Sequence, residues 1–173
     1  MSKTSLKKEL AMLSDTQLRE LILDVYTARK EARDYFEFFL DPDVEKLTDK
    51  TWRLIEKEMG RSKRGYLACR FSHIMKMLKD YERFGPGADN VLSLMIRTFT
   101  LALFYEKTYL CKPTFQNGTA RLYSRIMDFA EKHLLFDTAL SRTSESISLN
   151  ASRIMRNRLK EISEVDKNNL LES

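Results

Sequence analysis

The sequence predicts an all-α protein: a single-domain irregular helical bundle, or a short α–α superhelix, of about six to eight helices. Three observations point there. Only five glycines and three prolines are spread over 173 residues, too few for the turns of a β-rich fold, and both residue types weaken helix interiors. Apolar residues recur at helical spacing along most of the chain, and no segment alternates with the period of a strand. The composition, 43% hydrophobic and 32% charged, is that of a folded chain with one substantial core.

The elements follow in order. A short first helix carries Leu6, Leu10 and Leu13. Ser14-Asp15-Thr16-Gln17 has capping-box form, with the Ser14 hydroxyl placed to accept the Gln17 backbone N–H. Behind it Leu18, Leu21, Ile22 and Val25 share a face, and the pattern continues through Tyr35, Phe36 and Phe39 to Leu40 with a break near Lys30. Asp41-Pro42 is a boundary, because Asp caps and Pro suits a first helical position. The next helix, with Val44, Leu47, Trp52, Ile55 and Met59, ends at Gly60, and Trp52 is expected in the core.

Residues 61–65 read as a basic link or first turn, followed by a long helix over 66–84. Tyr66, Phe71 and Tyr81 fall among its apolar positions and are expected to be buried. Gly85-Pro86-Gly87 stops it. Asp89 or Asn90 then caps a helix over 91–110, apolar on nearly every face and expected to be the most buried. Cys111-Lys112-Pro113 ends that helix; the next carries Leu122, Ile126, Phe129 and Leu134. The last runs from Phe136 or Ser141 to Ile162, and the polar tail at 163–173 should fray. The domain expected is thus 1–162. Helices after Gly65 start at intervals of roughly 25–30 residues, as in stacked helical hairpins, but without a repeat signature.

Four short stretches resemble a known family. Leu6-Lys7-Lys8-Glu9-Leu10, followed by Leu13-Ser14-Asp15-Thr16-Gln17-Leu18-Arg19-Glu20-Leu21-Ile22, is similar to the opening of a bacterial all-helical family catalogued as a domain of unknown function. Phe38-Phe39-Leu40-Asp41-Pro42-Asp43 and the later Lys63-Arg64-Gly65 resemble it too. The resemblance implies the helical fold over most of the chain. It implies no activity and transfers no functional residue.

Catalytic and cofactor motifs are missing. There is no Gly-x-Ser-x-Gly elbow, no Glu-x-x-His pair for a di-iron bundle, and Gly85-Pro86-Gly87 lacks the Gly-Lys-Ser/Thr of a phosphate loop. No catalytic residue and no cofactor is therefore nominated. Cys69 and His73, four apart on one predicted helix, are the sharpest metal candidate, with Cys111 and His133 as distant partners. The plainer reading is two buried thiols and two ordinary histidines, since free cysteine is among the most buried residue types.

Charge is more informative. The net charge is +5, and the segment 61–84 carries that whole excess, with Arg61, Lys63, Arg64, Arg70, Lys76, Lys79 and Arg83 against Asp80 and Glu82. Arg61, Lys63, Arg64 and Arg70 are the candidate anion- or partner-binding residues, near the expected start of a helix. A second cluster, Arg153, Arg156, Arg158 and Lys160, lies on the final helix. The plain alternative is pairing of the basic segment with the acidic helix before it.

The function expected is a non-enzymatic protein-interaction or scaffold domain, with a protein partner or its own copy. The alternatives are nucleic-acid or polyanion binding through 61–84, or a metal-dependent protein using Cys69 and His73. Met1-Ser2-Lys3-Thr4 opens without an apolar run, so no secretory leader is expected, and the location expected is the cytoplasm. The apolar stretch 91–105, broken by Arg97, is too short and polar to span a membrane.

Overall fold

The computed structural model describes the backbone of residues 2–171 and the side chains of residues 2–162. Among them the fold is all-α, with nine helices and one minimal β-hairpin. The chain divides into two compact units, Met1–Asp43 and Val44–Ser173, meeting at the boundary that Asp41-Pro42 marks.

The first unit holds α1 (Lys3–Leu10), α2 (Asp15–Ala28) and α3 (Lys30–Leu40). The capping box forms as expected: Ser14 Oγ accepts from Gln17 N at 3.3 Å, and Gln17 Oε1 accepts from Ser14 N at 2.9 Å. The break near Lys30 is a single extended residue, Arg29, between α2 and α3. Tyr26 donates to Glu37 across that corner at 3.2 Å. No residue of α1, α2 or α3 is buried, although Leu21, Ile22, Val25 and Phe39 have core-like spacing.

The second unit carries the core. It consists of α4 (Val44–Met59), strands β1 (Ser62–Lys63) and β2 (Tyr66–Leu67), α5 (Phe71–Phe84), α6 (Ala88–Thr108), α7 (Pro113–Lys132), α8 (Phe136–Asn150) and α9 (Arg153–Leu171). Helix α6 lies in the middle, against α4, α5, α7 and α8, which makes this unit a bundle around its most apolar helix. Ile55, Ile74, Met95, Phe99, Leu103 and Ile126 are wholly buried there. Trp52 is buried as expected.

Five sequence expectations need correction. The helix expected from Tyr66 starts at Phe71, because 62–67 form a hairpin whose strands are too short to show a period. Tyr66, expected in the core, is 52% exposed. Helix α6 begins at Ala88, with Gly87 (φ 98°) rather than Asp89 or Asn90 at its N-cap. The final helix is two, separated at Ala151 and Ser152, where Ser152 Oγ accepts the Met155 N–H at 3.2 Å and restarts the helix as α9. Splitting this helix and the one at Arg29 raises the count beyond eight.

Leu134 is the fifth correction. It lies past the end of α7, not within it, at φ 60° and 94% exposed. Leu135 N donates to Ala130 O and Leu134 N to Glu131 O, a Schellman ending whose left-handed position holds leucine instead of glycine. The backbone of α9 is helical to Leu171, but the side chains of the expected frayed tail, 163–173, lie outside the described residues.

Helices α5 and α7 approach unusually closely. A Cβ on Gly118 would stand 2.3 Å from Phe71 Cγ and 2.7 Å from Phe71 Cβ, so only glycine fits there. Arg125 ties the same two helices, donating to Glu82 at 2.9 Å and to the Met75 carbonyl at 3.2 Å.

Candidate functional site

A concavity of about 700 Å³ lies within the second unit, walled by α4, α6 and α8. Helical spacing places Arg97, Leu101 and Phe104 on one face of α6, opening into the groove. Trp52 enters from α4, and Arg142 and Glu145 enter from α8. The Arg97 guanidinium lies over the Trp52 indole, 3.8 Å from the ring centroid, a cation–π stack. Arg97 is exposed and makes no ion pair among the described residues, so its N–H edges remain open to a carboxylate or similar acceptor. Arg142 donates to Ser93 Oγ at 3.0 Å, and Thr100 and Ser146 share a 2.7 Å hydroxyl contact beneath. Phe104, 47% exposed, supplies apolar surface on the wall. The groove thus combines an apolar lining with two guanidinium groups and one carboxylate.

Sequence reasoning missed this site. Its one signal is Arg97, the charge that interrupts the apolar run of α6. No sequence pattern connects it with Trp52 or Arg142.

The basic segment 61–84 divides by partner. Glu58, buried on α4, accepts from Arg70 Nε at 3.0 Å, Arg70 Nη2 at 3.1 Å and the Arg70 backbone N–H at 2.9 Å. Arg61 stands 3.8 Å from the same carboxylate. The hydrogen bonds from Arg70 hold the Glu58 carboxyl at a pKa of about 2, against the opposing effect of burial. Arg70 is thereby engaged by three hydrogen bonds, Arg61 stays half-exposed in a longer contact, and Arg83 pairs with Asp80 at 3.3 Å. Lys63, Arg64, Lys76 and Lys79 are exposed, with no ion pair among the described residues. In the second cluster, Arg156 donates to the Ser148 carbonyl at 2.9 Å and Arg158 donates to Asn117 Oδ1.

The four metal candidates are not gathered into one site, although Cys69 and Cys111 lie near enough to interact electrostatically. Cys69 precedes α5 while His73 lies exposed in its first turn, so the same-helix alignment is not made. His133 stacks on Phe129 with centroids 4.3 Å apart, and Cys111 donates to the Tyr105 carbonyl. Burial pushes the Cys69 thiol up to about 12 and the Cys111 thiol up to about 11, so both are protonated thiols at neutral pH. No group of three or more His, Cys, Asp or Glu side chains suited to a metal occurs among the described residues. No helix of the described residues is long and apolar enough to cross a membrane.

No curated protein and no solved structure matches the chain. A family model does, over residues 1–166, a span that includes the helix-cap and loop phrases of the first unit and the hairpin turn. With that match covering nearly the whole chain, the protein belongs to the family of unknown function DUF6155.

Proposed function

We propose that this protein is a non-enzymatic helical interaction module of the cytoplasm, and that its α4–α6–α8 groove receives an amphipathic helix of a partner protein. The observation that carries the reading is the Arg97–Trp52 stack beside exposed Phe104 in an open groove. Arginine and aromatic residues are enriched at protein interfaces, here the exposed Arg97 and Phe104 with Trp52 buried beneath the guanidinium, and a groove between helices accepts a helix through anchors spaced three or four residues apart. The open guanidinium edge of Arg97 and the nearby Arg142 favour a ligand helix with a carboxylate beside its apolar stripe.

The test places a photo-crosslinking amino acid at Phe104 in the full chain, expressed in its native cytoplasm, and identifies the attached peptide by mass spectrometry. The expected product is a helix-forming peptide of another protein with apolar and acidic residues, lost in Arg97→Glu. Crosslinks that survive Arg97→Glu, or that reach only copies of this chain, refute the reading.

A further inference from the structure

The hairpin between α4 and α5 carries chemistry that the groove does not use. Its loop is Arg64-Gly65, with φ of 54° and 78°, the two positive values of a type I′ turn. Such turns favour Asn-Gly, because a side chain other than Asn or Asp is strained in the left-handed region. Here the strained position holds an exposed, unpaired arginine. Strain kept at a solvent-facing charge points to use of that charge.

The register adds a second observation. Lys63 pairs with Tyr66 and Ser62 with Leu67. Directly opposed residues share a face of a two-stranded ribbon, and successive residues alternate. Leu67 is buried at 6% exposure, so its face is the inner one. Lys63 and Tyr66 therefore stand side by side on the outer face, with the Tyr66 ring half-exposed next to Lys63 and Arg64. Beyond the hairpin, Lys76 and Lys79 on the exposed side of α5 add further unpaired positive charge.

We propose that this hairpin is a contact surface for single-stranded nucleic acid, with a base stacked on Tyr66 and the flanking phosphates held by Lys63 and Arg64. An acidic polypeptide would account for the cations but would have no need of an exposed aromatic face between them. A duplex hides its base faces from such a platform, whereas a single strand offers a base to the ring and phosphates to the charges together. The proposal is independent of the groove, since the residues are different and Arg97→Glu leaves the hairpin intact.

The experiment is fluorescence anisotropy of the full chain with labelled oligothymidylate and oligouridylate, at several salt concentrations, with polyglutamate and a DNA duplex as controls. Binding should weaken with salt, with a log–log slope near −3 if Lys63, Arg64, Lys76 and Lys79 all meet phosphates, at about −0.7 per contact. Tyr66→Ala should weaken binding about tenfold or more, and Tyr66→Phe should retain it, because stacking needs the ring and not the hydroxyl. Arg64→Gly, which removes the charge while relieving the turn, should weaken binding and lower the slope magnitude by about 0.7 as the protein becomes more stable. Absence of binding, binding unchanged in Tyr66→Ala, or equal competition by polyglutamate or duplex would overturn the proposal.

Discussion

Gly118→Ala is a perturbation whose sign depends on tertiary contact alone. In the middle of an isolated helix, alanine is better than glycine by about 1 kcal/mol. Here the new methyl would meet Phe71 at its Cβ, Cγ and Cδ1, within 2.3–2.7 Å, at the root of the side chain where rotation gives no relief. Phe71 is itself buried and packs edge-on against Phe115 at 5.5 Å, so α5 and α7 must separate to admit the methyl. Overpacking of this kind costs about 1–3 kcal/mol, and contact with three atoms at the ring root places it at the upper end. The net effect is a loss of about 2 kcal/mol, or roughly 4–8 °C in Tm for a chain of this size. The assay is a thermal melt of four proteins: the native chain, Gly118→Ala, Phe71→Ala and the double variant. Phe71→Ala alone should cost about 3–5 kcal/mol. Alanine at 71 keeps the Cβ, 2.7 Å from the new methyl, so Gly118→Ala should still cost stability in that background but less than in the native chain, giving a coupling of about 1 kcal/mol. A rise in Tm on Gly118→Ala in the native background would falsify the close approach.

Two further predictions concern charge and backbone. Glu58 has a folded pKa of about 2 against an ordinary 4.5, so its contribution to stability is present above about pH 4.5 and lost as pH falls towards 2. Urea midpoints should accordingly place Glu58→Gln below the native chain at pH 7 and bring the two together near pH 2; a constant gap across that range would refute the role of Arg70. Leu134→Gly should stabilise by about 0.5–1 kcal/mol in the same assay, since it relieves a left-handed backbone at a side chain 94% exposed, and destabilisation would mean that the Schellman ending is not formed.

The legible part of the fold was local. The capping box at Ser14 and Gln17, the stop at Gly85 (φ 74°) and the proline start of α7 each involve groups within a few residues of one another. The restart at Ser152 belongs to the same class, and its serine cap was there to be seen. The hairpin was not legible, because two-residue strands carry no periodicity and Arg-Gly is an unusual filling for its turn. The Leu134 ending is hidden in the sequence because leucine at a left-handed helix end has the same spacing as a core residue.

What the sequence determined by itself is the helical class, the position of most boundaries and the segment that holds the net positive charge, since propensity, capping and composition act over short distances along the chain. Which of those charges are free was decided only by tertiary structure. Glu58 takes up Arg70 and leaves Lys63 and Arg64 in solvent, a distinction set by the return of the chain from α4 through the hairpin to α5. The same holds for Arg97, one interruption in an apolar run until α4 brings Trp52 beneath it and α8 brings Arg142 to the same groove. Sites of this kind are assembled by packing between helices distant in sequence, and no local pattern encodes the pairing.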